Sequence, residues 1–237
     1  MATMQSTMSV CGGSNGQRNG EFFSKFSTAA LADWIALEFP HSFAANIAIF
    51  SEKEAPQGIY VVLEGEVLLS INSSDGRRLS LRIARKGDVL GLSSALSGKA
   101  YSMTAEALYP AKVAHVGRRE FLGFLARHPE VYQTVTEELS RHMAMACEQL
   151  RTVGLSSSAP EKLARLLLDW GEADQSNSSS CRVRFSLTHE EIGEFIGASR
   201  ETVTRTLSNF KHRRLVSFRG SMLEIPNRTA LASYANA

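Results

Sequence analysis

Cysteine is scarce, and long apolar runs are missing. The 237 residues hold three cysteines, Cys11, Cys147 and Cys181. They are far apart and odd in number, which excludes a disulfide framework and fits a reducing, cytoplasmic setting. Three scattered thiols also fall short of the roughly four thiolates an iron–sulfur cluster takes. No apolar run approaches the ~20 residues of a membrane-spanning helix. The N-terminus lacks the basic and apolar regions of a secretory signal. Charge of one sign is lacking too: 26 basic and 24 acidic residues give a net charge of +2. The total therefore neither demands nor excludes nucleic acid, and the distribution must decide. No nucleophile elbow, phosphate-binding glycine loop, zinc-spaced His/Cys set or carboxylate pair stands out, so an enzyme is not expected.

The 43% hydrophobic and 21% charged residues suit an ordinary globular chain long enough for two modest domains. Residues 1–20, rich in Gly, Ser, Asn and Gln, read as a flexible tail. Phe22, Phe23, Phe26, Leu31, Trp34, Ile35 and Phe39 recur at helical spacing and predict one or two short helices. From residue 44 to 115 the pattern changes to short β-branched runs punctuated by Gly58, Gly65, Asp75-Gly76, Gly87-Asp88, Gly91 and Gly98. Strands that turn every ten or so residues predict a sandwich or barrel, with a hairpin at Asp75-Gly76. A short helix over 118–126 follows. Pro129 then suits the first turn of a long helix that runs to about Val153. In it Tyr132, Thr136, Leu139, Met143, Ala146, Leu150 and Val153 alternate at spacings of four and three, the seam of a coiled coil. Gln133, Glu137, Glu138, Arg141, Glu148, Gln149 and Arg151 occupy its other faces. So narrow a stripe favours a second copy of the helix, and hence a homodimer.

Residues 154–160 read as a hinge, 161–170 as a helix, 176–180 as a Ser-rich loop and 181–186 as a strand. Thr188 with Glu191 three residues on forms a capping box. Ile192, Phe195 and Ile196 give that helix a buried stripe, Gly197 ends it, and Ser199 caps the next. Two capped helices across a glycine turn predict a helix-turn-helix. In the second helix Val203, Leu207 and Phe210 face inward, while Arg200, Glu201, Thr204 and Arg205 share the opposite face near its N-terminal end. Arg has the fork that matches O6 and N7 of guanine, and Glu can accept from N4 of cytosine. Between Arg200 and Arg219 six basic residues stand against Glu201 alone, a local charge of +5. Residues 215–218 and Met222–Ile225 predict a small wing hairpin with Arg219 near a phosphate.

The run Thr188-His-Glu-Glu-Ile-Gly-Glu-Phe-Ile-Gly-Ala-Ser-Arg-Glu-Thr-Val-Thr-Arg205 resembles the helix-turn-helix signature of the Crp/Fnr superfamily of bacterial transcription regulators. The stretch 58–65, Gly87-Asp88-Val89-Leu90-Gly91, the long helix and the wing agree in order, so the resemblance covers about Phe22 to Ala232. After the compositional tail 1–20, it implies an α+β chain with a cyclic-nucleotide-binding-like jelly-roll sensor domain over 21–127, a dimerisation helix over 128–153, and a winged helix-turn-helix over 154–237. It further implies a homodimer on a two-fold DNA site with TGTGA-like half-sites, contact with RNA polymerase, and Arg200, Glu201 and Arg205 at base-reading positions, alongside Thr188, Ser199, Thr204 and Arg219 in the DNA-binding set. Members that bind cyclic AMP carry a Glu for the ribose and an Arg-Ser pair for the phosphate. Here the segment reads Gly91-Leu92-Ser93-Ser94-Ala95-Leu96 and the pair is Tyr101-Ser102. A buried phosphate without a cation is costly, which disfavours cyclic AMP. Gly91, Leu92, Ser93, Ser94, Tyr101, Ser102 and Thr104 could line a pocket for another effector, or be ordinary turn and strand residues. For a haem, His41 and His115 would be the nearest axial ligands, but a lone His on a barrel strand is more often structural. Cys147 could sense redox, although a buried inert thiol is the commoner case. The other functional reading is a cyclic-nucleotide or other small-ligand sensor module without direct DNA regulation.

Overall fold

The computed structural model describes residues 21–155, 158–172, 181–184, 187–220 and 222–235. The predicted tail, the Ser-rich loop, and Phe185 and Ser186 of the predicted strand lie outside the described residues. A 3₁₀ turn at Glu21–Phe23 leads into α1 (Thr28–Leu37), capped by the Ser27 side chain. Eight strands follow: β1 (Phe39–Phe43), β2 (Ala48–Phe50), β3 (Gly58–Glu64), β4 (Val67–Asn72), β5 (Arg78–Ala84), β6 (Val89–Leu90), β7 (Thr104–Ala107) and β8 (Ala111–Gly117). The six-residue α2 (Leu92–Ser97) sits between β6 and β7. The strands form two antiparallel four-stranded sheets, ordered β1-β8-β3-β6 and β2-β7-β4-β5. This is the sandwich the turn spacing predicts, in the jelly-roll form the resemblance implies, and Gly76, at φ +83°, makes the predicted turn between β4 and β5. Phe39 departs from the predicted helix: it opens β1 and is exposed, because α1 ends at Leu37.

Three apolar clusters hold the chain together. Between the two sheets lie Phe50, Tyr60, Val62, Leu69, Leu90, Tyr101 and Val113. On the outer face of the β1-containing sheet, Ile59, Val61 and Val116 meet Phe22, Trp34, Phe121, Phe124 and Val135. There the rings pack mostly edge to face, Trp34 lying 5.1 Å from Phe124. The third cluster is the C-terminal core of Leu163, Leu167, Ile192, Phe195, Val203, Leu207, Phe210, Leu223 and Ile225, and Leu68 of β4 belongs to it. Both faces of β4 are thus covered, one by the opposite sheet and one by the C-terminal domain. Full burial of a leucine stabilises by ~1.5–3 kcal/mol, so Leu68 contributes substantially to seating that domain on the barrel.

Helix α3 (Arg118–Arg127) precedes α4 (Val131–Gly154). Pro129 lies just before α4 rather than in its first turn: Glu130 is the N-cap, and the Pro129 carbonyl accepts from the Tyr132 N–H. The predicted hinge is shortened from both sides, since α4 runs through Gly154 and α5 (Ala159–Glu172) starts at Ala159. After β9 (Cys181–Arg184) come α6 (His189–Ile196), α7 (Arg200–His212), the hairpin β10 (Ser217–Arg219) and β11 (Met222–Ile225), and α8 (Arg228–Ala235). The last sheet has the order β10-β11-β9. No helix among the described residues is long and apolar enough to cross a membrane.

Candidate nucleic-acid interface and effector cavity

The turn between α6 and α7 is built by local chemistry. Thr188 Oγ1 accepts from the Glu191 N–H at 3.2 Å, and the Glu191 carboxylate accepts from the Thr188 N–H at 2.6 Å. Two backbone donors of the helix start are thereby satisfied. Gly197 ends α6 in the left-handed region at φ +62°, and Ser199 accepts from the Thr202 N–H to start α7. Gly193 makes the tight turn possible: a Cβ there would sit 2.4 Å from the Ala198 carbonyl oxygen. Sequence reasoning missed Gly193, although a glycine one turn before the break was the available signal.

Val203, Leu207 and Phe210 are buried, which turns Arg200, Glu201, Thr204 and Arg205 outward, all exposed. Glu201 is held below the ordinary carboxylate value by its own backbone N–H at the helix start and then by the Ser199 hydroxyl, so it stays ionised as an acceptor. Thr204 is already engaged. Its hydroxyl donates to the Arg200 carbonyl at 2.9 Å, leaving it to accept from His189 Nδ1 at 2.7 Å. His189, which no sequence pattern singles out, therefore braces the two helices across the turn. Thr188 and Ser199 serve as caps at the same end. On the wing, Arg219 is exposed, and its Nε lies 3.3 Å from Glu224 Oε2.

The seven seam residues of α4 divide. Tyr132, Thr136, Met143, Ala146 and Leu150 are exposed in the single chain, Met143 and Leu150 each at 68%. Leu139 and Val153 are half-buried, and Leu139 packs on the outer barrel cluster. Three residues depart from expectation. Glu138, expected on a solvated face, is 5% exposed. Burial alone would raise its pKa, but hydrogen bonds from His142 and Arg141 outweigh this and hold it below the ordinary range. Cys147, expected to be buried, is an exposed thiol. Gln149 is half-buried because the C-terminal domain docks over it. Its Nε2 donates to the Ser80 carbonyl of β5 and to the Phe195 carbonyl of α6, both at 2.9 Å. Beside it the Ser80 hydroxyl donates to Glu194 at 2.9 Å, and the Arg78 guanidinium lies 3.6 Å from Glu194. Burial raises the Glu194 pKa; Ser80 and Arg78 offset part of that. One glutamine on α4 thus joins barrel, long helix and helix-turn-helix.

A half-open cavity of about 540 Å³ lies between the barrel and α4. Of the sequence-predicted set, Gly91, Leu92, Ser93, Ser94, Tyr101 and Ser102 line it. Thr104 does not: its hydroxyl accepts from the Glu52 N–H at 3.0 Å. Gly91 takes φ +80°, and a Cβ there would meet the Gly58 carbonyl oxygen at 3.0 Å. Tyr101 stacks on Phe50 at 4.1 Å. Its hydroxyl donates to the Gly58 carbonyl at 2.9 Å and accepts from the Gln57 and Gly58 N–H groups. The far walls, Phe50, Leu69, Leu79, Leu81, Met103 and Leu139, come from five separate places in the chain and escaped sequence reasoning. His41 and His115 face each other across β1 and β8 at 6.2 Å. His115 Nε2 is buried without a partner among the described residues, and burial, then His41, lowers its pKa.

Comparison with known proteins bears on both regions. Residues 161–234 match the Crp-like helix-turn-helix domain family, and residues 40–128 the cyclic nucleotide-binding domain family. The chain is 28% identical over 220 residues to the nitrogen fixation regulation protein FixK of Bradyrhizobium diazoefficiens, covering 91% of each. It is 26% identical over 197 residues to a CRP-like cAMP-activated global transcriptional regulator of Mycobacterium tuberculosis, covering 83% of this chain and 88% of that one. Among solved structures, FixK2 from Bradyrhizobium japonicum superposes with a TM-score of 0.75 at 24% identity, covering 84% of this chain and 98% of that chain.

Proposed function

The chain belongs to the Crp/Fnr family of transcription regulators, and from that premise we propose that it reads a palindromic DNA site as a homodimer, with an effector-responsive barrel. The observation that carries the DNA reading is the exposed N-terminal face of α7, where Arg200, Glu201 and Arg205 project beyond a capped, glycine-tight turn. In this reading Arg200 and Arg205 donate to guanine edges and Glu201 accepts from a cytosine amine. Thr204, Thr188, Ser199 and the wing Arg219 hold the backbone side. The exposed stripe Tyr132, Met143, Leu150 packs on its copy in a partner chain, with Leu139 and Val153 at its inner edge. Two-fold symmetry then places the recognition helices about one DNA turn apart, on TGTGA-like half-sites. RNA polymerase is the proposed further partner, and the cytoplasm the place of action.

The switch follows from how α4 is used. The same stretch of α4 carries the dimer stripe and walls the barrel cavity through Leu139 and Met143, while Gln149 beside it holds the helix-turn-helix. An effector that binds one arrangement of these contacts more tightly shifts the population toward it. The test is selection from a randomised duplex library with the purified protein. Enrichment of a two-fold symmetric motif is expected. Enrichment of an asymmetric motif, or of none with any candidate ligand added, would refute the reading.

A further inference from the structure

The barrel cavity carries its own statement about what it accepts. Its walls are mostly hydrocarbon and aromatic: Phe50, Leu69, Leu81 and Met103 from the barrel, Leu139 and Met143 from α4. The polar groups on the lining are nearly all occupied. Tyr101, where cyclic-AMP-binding relatives would need a cation, spends its hydroxyl on the Gly58 and Gln57 backbone. Ser94 donates to the Ala100 carbonyl at 3.2 Å. Arg82 reaches the lining, but its Nη1 lies 2.7 Å from Asp88 Oδ2, so its charge is already neutralised. His142 Nε2 lies 2.8 Å from Glu138 Oε1 and 3.3 Å from Arg82 Nη2. Ser93 and Ser102 remain, exposed at the rim. An anion placed here would lose its hydration and find no unpaired cation, which disfavours it strongly. The volume lies within the ~300–1,000 Å³ of small-molecule sites, which are apolar with few polar anchors.

We propose that this cavity binds an uncharged, predominantly apolar small molecule, oriented by at most one or two hydrogen bonds at the Ser93–Ser102 rim, in place of a cyclic nucleotide. The proposal rests on the reading of the barrel as the sensor of a DNA-binding regulator, and it names the effector class for that site. Because Leu139 and Met143 belong both to the cavity wall and to the dimer stripe, such a molecule touches the dimer helix directly.

The probe is N-phenyl-1-naphthylamine, a neutral apolar fluorophore, titrated into the full-length protein. Saturable enhancement at one probe per chain is expected, undiminished by excess cyclic AMP. Two variants locate it. Leu81→Glu sets a charge in the half-buried wall, and Met103→Trp fills space without charge; each should weaken the probe at least tenfold. If Leu81→Glu fails to fold, Met103→Trp carries the test alone. Absence of saturable binding would mean that the partner's helix fills the groove, and would overturn the proposal. So would displacement by cyclic AMP, or unchanged probe affinity in a folded Met103→Trp. DNA binding by the same preparation separates the two failures. Intact binding to a palindrome without probe binding sinks the effector class alone, whereas loss of DNA binding under every condition sinks the regulator reading and this proposal with it.

Discussion

Removing the amide donor of Gln149 should loosen the helix-turn-helix domain from the barrel without unfolding either. The side chain makes two hydrogen bonds across the domain boundary, to Ser80 and to Phe195. Each is worth ~0.5–1.5 kcal/mol net of water, so Gln149→Ala should cost ~1–3 kcal/mol of docking free energy. That range corresponds to a shift of roughly 5–150-fold in the ratio of docked to undocked states. Gln149→Glu, which keeps the shape, should do at least as much, because a carboxylate cannot donate and would face two carbonyl oxygens. The assay is hydrogen exchange resolved by peptide. Peptides over β5 and α6 should exchange faster by about that factor, while peptides over α1 and α3, packed on the opposite sheet, should not change. Unaltered exchange in α6, or acceleration spread evenly over the chain, would show that Gln149 does not hold the domains together.

Other perturbations separate contact types. Arg200→Ala or Arg205→Ala should cost ~1–3 kcal/mol in DNA binding and relax preference at one base pair each. Arg219→Ala should weaken all sequences alike and lower the salt slope by about one; binding measured over a series of salt concentrations distinguishes them. Met143→Asp with Leu150→Asp places four carboxylates in a paired stripe, and sedimentation should then find monomers; a surviving dimer would place the interface elsewhere. His115 has a folded pKa below its ordinary 6.5, so its neutral form favours the folded state. That stability is complete above 6.5 and is lost as pH falls from there through the lowered value. Thermal midpoints should decline over this window, and His115→Phe, which keeps a ring in tilted contact with Tyr60 at 4.8 Å, should flatten the decline.

The helix-turn-helix was legible because its signals are local. A cap, a box partner three residues on and a left-handed glycine act within one turn of chain, and Thr188, Glu191, Gly197 and Ser199 occupy the places the pattern assigns. The barrel was legible through its turns. What escaped depends on contacts between distant segments. Gln149 and Glu138 look like surface residues on a helical wheel, since periodicity reports polarity and not which neighbour arrives to cover it. Leu68 lies on a strand buried on both faces, and no alternation could reveal that the second cover is another domain. The near side of the cavity, from Gly91 to Ser102, could be listed because it is one stretch of chain. Its far walls are assembled by folding. Thr104 was misplaced for the related reason that it opens β7, where its hydroxyl meets the Glu52 amide instead of the cavity.

Gln149 and Leu150 are neighbours on α4, and that adjacency has a mechanical consequence. Side-chain tips ride ~6 Å from a helix axis, so a rotation of 20° carries them about 2 Å along an arc. Two hydrogen bonds of 2.9 Å do not survive such a stroke. In the proposed dimer the long helix would therefore act as a camshaft: a small turn imposed along the stripe shared with the second copy would reach the helix-turn-helix as the loss of these two bonds.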